Sequence, residues 1–450
     1  MNQVKTLFEP KSVILIGSTK TREKVGMASP ELFRNVAYNM RKFFRRKTCI
    51  LDVDADKDVL EKLLQAPDLG VLMLPPKQSV DYACKLAEHG VKTFVIITGG
   101  FKDAQRQMLL QLKEKHGARI LGPNTIMGVI NTSNGLNTTF EKGTMPKKGS
   151  IAVISQSGGV GAYLLDWACF FDVGISKLVF MGDKIDIDDF DLLEYLEKDK
   201  NTKVICLYME GTKDGRKLVT KATKIVKHKP ILVLKGGITE ASAHRARSHT
   251  ASIAGSDHIF DAAFKKAGMI RVENIEDLMN AAIALSKQPP MQGDNVAIVS
   301  NVGGPAILTA DAVVKNGLKL ATLSKETKIT IEKKYPGVDA VNPIDLIADA
   351  RAERYSDVLD LVLADRNVDG VVVVNMLKST FFKPKDAKVI PKIAARHPHK
   401  PVVDVPAGGE DFMLVQRVLV NTNIPVYNLP EKGVKALKVL RTYGLITGKH

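Results

Sequence analysis

Between Lys235 and Asp257 the chain reads KGGITEASAHRARSHTASIAGSD, and the residue in it that could do chemistry is His249. It stands between Ser248 and Thr250, follows Arg245 and Arg247, and precedes small residues up to Gly255. Guanidinium and hydroxyl groups are donors that hold phosphate oxygens. An imidazole among them is placed to take a phosphoryl group and carry it between two places. The stretch begins after an apolar run, Ile231 to Leu234, and ends where a helical pattern starts near His258, which predicts a long loop. Loops of that length within a compact domain are usually functional or disordered. The alternative reading is an exposed loop histidine with no role.

A second feature suited to phosphate is the run IAVISQSGGVGAYLLDWACF, a strand, a turn and an apolar helix. Ser155, Gln156 and Ser157 fall at the strand end, while Gly158 and Gly159 leave backbone amides open at a helix N-terminus, which carries about half a positive charge. The pattern returns 145 residues later as NVAIVSNVGGPAILTADAV, pairing Ser155 with Ser300, Gly158 with Gly303, Gly159 with Gly304 and Asp166 with Asp311. Such repetition implies two copies of one α/β unit and a second phosphate-receptive terminus at Gly303 and Gly304. Tight turns that need glycine only for packing are the competing explanation at both places.

These residues must be held by strands that alternate with helices. Val13 to Ile16, Thr48 to Val53, Leu69 to Leu74, Thr93 to Ile97 and Arg119 to Leu121 are short apolar runs separated by helical patterns, the signature of a doubly wound parallel sheet. Val204 to Tyr208, Val371 to Val374 and Pro401 to Val405 continue the pattern. A Lys/Gly-rich stretch from Phe140 to Ser150 and the segment QPPMQGD from Gln288 to Asp294 read as linkers. The expected architecture is α/β: a Rossmann-like domain over 1–145, followed by flavodoxin-like domains over 146–288 and 289–450.

With 450 residues and 45% hydrophobic content the chain has material for about three domains. No apolar run reaches the roughly 18 residues of a transmembrane helix, and the start leads straight into a strand, which predicts a cytoplasmic protein with no membrane partner. Cys49, Cys84, Cys169 and Cys206 lack metal or redox spacing and read as small buried hydrophobes; no metal site is expected. The net charge of +16 is spread over many helices, with one dense run from Arg41 to Lys47, so a solvated face is preferred to nucleic-acid binding. A positive field also steers polyanionic small ligands.

The segment RARSHTASIAGSDHIFDAAFKKAGMIRVENIEDL resembles the phosphohistidine segment of the ADP-forming acyl-CoA synthetases, the acetyl-CoA synthetase alpha subunit in particular, and the likeness runs over nearly the whole chain. By that resemblance His249 is phosphorylated during turnover. Relatives carry a glutamate before a glycine at the place of Glu210, and its carboxylate meets the histidine ring. A carboxylate accepting the Nδ1 proton fixes the tautomer and leaves Nε2 as the nucleophile. Otherwise Glu210 is a solvated charge at a strand end. The resemblance further implies coenzyme A held by the first domain: by Gly17, Ser18, Thr19 and Gly26 after the first strand, and by Pro75, by Thr98 and Gly99 of ITGGF, and by Asn124 of GPN in the later loops, although an ordinary turn asparagine is the plain reading of the last. NPIDL, from Asn342 to Leu346, is another family signature. ADP/ATP with Mg belongs by this resemblance to a separate ATP-grasp beta subunit in a hetero-oligomer, α2β2, since no GxxxxGK[ST] loop occurs here.

The second strand leads into LDVDADKDVLEKLL where relatives have an Asn-Pro-Lys-like turn, and the first loop reads GST where they more often have GAS. Two rivals remain, the first favoured by these departures and the second suggested by the first strand and its loop. One is a non-catalytic coenzyme A-binding or regulatory homologue. The other is a dinucleotide-dependent oxidoreductase, which lacks a GxGxxG and shows no acidic residue placed as the ribose ligand would be.

Overall fold

The computed structural model of the chain describes residues 3–20, 27–56, 63, 65–239, 241–242, 257–378 and 381–448. His249 and Gly26 lie outside the described residues. The contacts divide the chain into two compact units, Met1–Glu273 and Asn274–His450.

Unit 1 holds two sheets. In the first, β1 (Ser12–Gly17), β2 (Lys47–Asp52), β3 (Leu69–Met73), β4 (Thr93–Ile96) and β5 (Arg119–Leu121) are all parallel in the order β2-β1-β3-β4-β5. Helices α1 (Gln3–Phe8), α2 (Pro30–Phe43), α3 (Pro76–Glu88) and α4 (Asp103–His116) cover it, and β3 and β4 are buried throughout. Covering both faces of a parallel sheet requires apolar residues at successive positions, which is why these strands show in the sequence as unbroken runs. Chain order reverses at β1, so the loops after β1 and β3 flank the switch-point crevice where ligands of open α/β sheets dock.

The second sheet runs β12-β11-β10-β8-β9-β6-β7. Its parallel members are β8 (Lys148–Ser155), β9 (Ile175–Phe180), β10 (Val204–Met209), β11 (Ile231–Lys235) and β12 (Ile270–Val272), with helices α5 (Gly158–Phe170), α6 (Asp189–Lys198), α7 (Gly215–Ile225) and α8 (Asp257–Ala267). Two short strands close the far edge by antiparallel pairing, β6 (Val129–Asn131) on β9 and β7 (Leu136–Asn137) on β6. Val129–Asn131, a few residues beyond the GPN loop of the first sheet, therefore belongs to the second sheet. Val129 and Ile130 are buried there, and too short a run to reveal strand periodicity hid it. The stretch read as the first linker is pinned: buried Asn39 on α2 donates to the Thr139 and Glu141 carbonyls at 2.8 and 2.9 Å and accepts from Gly143 N at 2.8 Å.

Unit 2 repeats the design. Its parallel strands are β13 (Asn295–Ser300), β14 (Lys319–Leu320), β15 (Ile344–Asp345), β16 (Gly370–Asn375) and β17 (Val402–Pro406), ordered β14-β13-β16-β17 with β15 also on β13. The helices are α9 (Ile275–Lys287), α10 (Gly303–Lys315), α11 (Lys325–Lys334), α12 (Ala352–Ala364), α13 (Val389–Ala394), α14 (Gly409–Leu419) and α15 (Pro430–Thr447). Helix α9 packs on α15, tied by Lys432 to Glu276 at 2.6 Å and by Tyr427 Oη to the Asn280 carbonyl at 3.0 Å. The second linker is likewise packed: Gln288 receives Val402 N at 2.8 Å and donates to the Asn423 carbonyl at 2.6 Å, and Met291 is buried.

Within unit 2 the fully buried carboxyl of Asp404 sits 2.5 Å from Asn375 Nδ2, and burial pushes its pKa up to about 8. A carboxyl whose folded-state pKa lies above its unfolded value gives most stability at low pH and loses it as pH rises from about 4 to about 8. Replacing Asp404→Asn removes that titration. The stability gap between variant and parent, measured by urea denaturation, should widen in the variant's favour by about 1 kcal/mol per pH unit between pH 5 and 8. A gap that stays constant with pH would show that Asp404 is already ionised in the fold.

Candidate active site

The C-terminal edge of the second sheet carries a peptide held on every side. Glu210 and Gly211 follow β10, and Gln156 follows the neighbouring β8. Gln156 Oε1 accepts from Glu210 N at 2.8 Å and from Gly211 N at 3.1 Å, and its Nε2 donates to the Gly211 carbonyl at 2.9 Å. Lys184 Nζ reaches the same carbonyl at 3.2 Å, and Lys235 Nζ reaches the Glu210 carbonyl at 2.9 Å. Three side chains thus satisfy all four backbone groups of the pair. Elsewhere a strand end is completed by water or a turn; here the backbone at Glu210 and Gly211 is fixed by buried protein groups.

The holders are themselves held. Gln156 Nε2 also faces both oxygens of Asp189 at 3.0 Å, and Lys184 Nζ lies 3.2 Å from Asp189 Oδ2, with lysine and aspartate side chains 3% and 0% exposed. Asp189 opens α6, capped by Asp188, whose carboxyl burial and the Asp189 charge push up to about 6. Lys184 has φ +51°, and its carbonyl receives the Lys213 ammonium. Lys235 ends β11, is buried, packs its ammonium over the Phe260 ring at 4.7 Å, and is lowered in pKa by that burial. The Glu210 carboxylate accepts from Tyr208 Oη at 3.2 Å, and Tyr208 is raised by burial and then by Glu210.

Beside this clamp, Ser157 caps α5 by accepting from Val160 N at 3.4 Å, and Ser155 Oγ donates to the Ser157 carbonyl at 2.6 Å. A Cβ at Gly159 would meet nothing within 4 Å, so that position leaves open space in front of the helix. At Gly158 a Cβ would lie 2.6 Å from Ile126 Cδ1, so glycine lets the GPNTI turn close on α5. That turn connects the two sheets: Asn124, at φ +61°, takes the Thr98 carbonyl through its N–H at 2.8 Å and donates to Asp183 at 3.2 Å. Thr98 Oγ1 donates to the Leu74 carbonyl at 2.8 Å, next to Pro75. The structure therefore brings Pro75, Thr98, Gly99 and Asn124 into one run of loops that reaches the N-terminus of α5.

The loop after β1 stands differently. Gly17 packs against Phe33 of α2, where a Cβ would come within 2.1 Å of the ring. Thr19 N and Oγ1 both bond the Asp52 carboxylate, the backbone contact at 3.2 Å, while Ser18 Oγ and Lys20 N bond Asp54 at 2.5 and 3.0 Å. Asp52 ends β2 in register with Gly17. The reading that no acidic residue occupies the ribose-ligand position is thereby corrected. Spacing along the chain hid it because the acid closes the second strand without the glycine fingerprint that usually announces it.

In unit 2 the counterpart of Ser155 behaves as its pair does: Ser300 Oγ donates to the Val302 carbonyl at 2.9 Å. Asn301, counterpart of Gln156, accepts from Met376 N at 2.9 Å and donates to its carbonyl at 3.2 Å. Gly303 and Gly304 are exposed and a Cβ on either would meet nothing within 4 Å, so packing does not explain them. Sequence reasoning missed Lys184, Asp189 and Lys235, and the clamping use of Gln156, because no spacing links residues that meet only through a folded sheet edge.

Residues 148–285 match the succinyl-CoA ligase like flavodoxin domain, and 296–442 match the ligase-CoA domain. The chain is 36% identical to acetate–CoA ligase [ADP-forming] II subunit alpha of Pyrococcus furiosus, covering 94% of each chain. It is 36% identical to the acetate–CoA ligase [ADP-forming] of Methanocaldococcus jannaschii over 99% of this chain and 64% of that one. A solved structure of the Ca. Korarchaeum cryptofilum dinucleotide forming acetyl-coenzyme A synthetase 1, in complex with phosphate and ADP, superposes with a TM-score of 0.88 at 30% identity, covering 100% of this chain and 98% of that chain. The chain belongs to the family of ADP-forming acetate–CoA ligase alpha subunits, a family of acid–thiol ligases.

Proposed function

We propose that this chain is the alpha subunit of an ADP-forming acyl-CoA synthetase that works through a phosphohistidine at His249. The observation that carries the reading is Glu210, its backbone clamped and its carboxylate bonded by Tyr208, beside the open N-terminus of α5. A phosphate oxygen attacks the thioester carbonyl, the C–S bond breaks, and free coenzyme A leaves with an acyl phosphate in place. Nε2 of His249 then attacks phosphorus as the bond to the acyl oxygen breaks, releasing the carboxylic acid. Glu210 accepts the Nδ1 proton as a hydrogen bond and so supports the imidazolium character that develops. In-line transfer needs the reacting atoms within about 3 to 3.5 Å, so one histidine serves two distant acceptors only by moving.

The first sheet takes coenzyme A, with Pro75, Thr98, Gly99 and Asn124 toward the thiol end and the loop of Gly17, Ser18, Thr19 and Gly26 toward the nucleotide end. Ser155, Ser157, Gly158 and Gly159, with Gly303 and Gly304, serve phosphate through helix termini; Gln156 serves it indirectly by fixing Glu210. The working domains are 1–145, 146–288 and 289–450. The nucleotide, ADP with Mg, sits in a partner of ATP-grasp type within an α2β2 assembly in the cytoplasm. Support for a partner comes from the Pyrococcus relative, which is named a subunit, and from the Methanocaldococcus relative, of which this chain spans 64%. Among the described residues no helix is long and apolar enough to cross a membrane.

Two outcomes are expected. Glu210→Gln should slow phosphorylation from acetyl-CoA and labelled phosphate by about 10² or more, the usual loss for a positioned acid–base partner, while far-UV circular dichroism stays the same; unchanged rates would return Glu210 to a solvated charge. The purified polypeptide alone should form no ATP from ADP, phosphate and acetyl-CoA. ATP formation by a preparation free of partners would refute the division of labour.

A further inference from the structure

The segment 182–188, between β9 and α6, runs along β5, the edge strand of the first sheet. Asp183 N donates to the Pro123 carbonyl at 2.8 Å, Ile185 N to that of Gly122 at 3.3 Å and Ile187 N to that of Ile120 at 3.1 Å. The buried side chain of Asp186 accepts from Ile120 N at 2.9 Å and from Arg119 Nε at 2.8 Å. Alternate residues thus bond to one side, as those of a strand would, and the open edge of the sheet is covered. Gly182, at φ +63°, lets the segment start against the GPN turn: a Cβ there would come within 2.2 Å of the Pro123 carbonyl oxygen.

Two consecutive side chains of this segment go to different places. Asp183 Oδ1 accepts from Asn124 Nδ2 at 3.2 Å, and Asp183 Oδ2 accepts from Arg106 of α4 at 2.7 Å. Lys184 instead reaches the Gly211 carbonyl, next to Glu210, at 3.2 Å. An ionised carboxylate can only accept, so it decides which end of the Asn124 amide faces it. Nδ2 lies toward Asp183, and Oδ1 lies against Gly99, where a Cβ would come within 2.5 Å of it. The amide plane is thereby fixed, and with it the direction of its second N–H. The Arg106 guanidinium offsets the charge of Asp183, so the group that orients Asn124 does not add a bare anion to a site that must admit phosphate.

We propose that Asp183 is a positioning residue for the thioester step, holding the Asn124 amide so that its second N–H donates to the thioester carbonyl oxygen, while Lys184 serves the later phosphoryl step through Gly211. The proposal rests on the reading of this chain as an acyl-CoA synthetase with a phosphohistidine, and it assigns the two chemical steps to neighbouring residues of one segment. As hydrogen phosphate adds to the carbonyl carbon, the carbonyl electron pair moves onto oxygen, and it returns as the C–S bond breaks. The proton of the phosphate ends on the departing thiolate. A donor already aimed at that oxygen stabilises the charge that develops on it. Transfer from the acyl phosphate to His249 makes no use of that donor.

Phosphorylation of the full chain by two donors separates the steps. Acetyl-CoA with labelled phosphate passes through both, and labelled acetyl phosphate passes through the second alone. In Asp183→Ala the rate from acetyl-CoA should fall about 10- to 100-fold, the loss that misplacing a reacting group brings, while the rate from acetyl phosphate stays within about twofold. Asp183→Asn, which keeps an acceptor oxygen, should recover most of that loss. Arg106→Gln, at a partly exposed position of α4, should show a smaller loss of the same kind, and Lys184→Gln should slow both donors. Equal slowing of both donors in Asp183→Ala, slowing of neither, or an unaltered chain that takes label from acetyl-CoA but not from acetyl phosphate would overturn the proposal and leave the phosphohistidine reading intact. Failure of the unaltered chain to take label from acetyl-CoA and phosphate would instead remove that reading, and this proposal with it. Should Asp183→Ala not fold, the ratio of the two rates in Arg106→Gln decides the matter.

Discussion

The hydrogen bonds of one amide, Gln156, are the constraint on which the site depends. It joins the end of β8 to the end of β10 by accepting from two consecutive backbone N–H groups and returning a donor to the second carbonyl. Its remaining donor capacity is directed to Asp189, which in turn neutralises Lys184. Taking both members of that ion pair out of water costs several kcal/mol per ion, and such pairs often add little net stability. What the arrangement supplies is direction: a glutamate side chain on a strand end whose backbone cannot rotate. Under the proposed function, a carboxylate that meets an imidazole carried on a loop gains from being held before the encounter, since the ordering entropy is then already met by the fold.

The internal repeat gives this clamp a meaning beyond one site. Ser300 repeats the bond of Ser155, and Asn301, like Gln156, joins the end of its strand to the end of the neighbouring one, though through the N–H and carbonyl of the single residue Met376. The copies differ in what the clamp holds. In unit 1 it holds a glutamate, and in unit 2 it holds Met376. The shared scaffold therefore keeps two open helix termini, at Gly159 and at Gly303 with Gly304, while the Glu210 carboxylate is found beside the first.

Strands buried on both faces were legible because each is a run of successive apolar residues: Val13 to Ile16 and Val371 to Val374 fall within observed strands. The repeat was legible because identity at fixed offset survives in the turn residues. Three things were hidden. The short pair β6 and β7 joins a sheet formed later in the chain, which no local pattern reports. Lys184, Asp189 and Lys235 acquire their role only where separate strand ends meet. Asp52 lies within the run Thr48 to Val53, and only the register that sets it against Gly17 shows that it stands at the loop after β1. Each is a fact of long-range pairing, and local propensity carries no information about it.

The central claim is that the clamped carboxylate serves a histidine that becomes phosphorylated. The direct measurement is to mix the chain with acetyl-CoA and labelled phosphate, quench in base, and map the acid-labile label by peptide mass spectrometry, with His249→Ala alongside. The account predicts stoichiometric label on His249 and none in the variant, with coenzyme A affinity nearly unchanged between them. Label retained in the variant, or found on another residue, would contradict it.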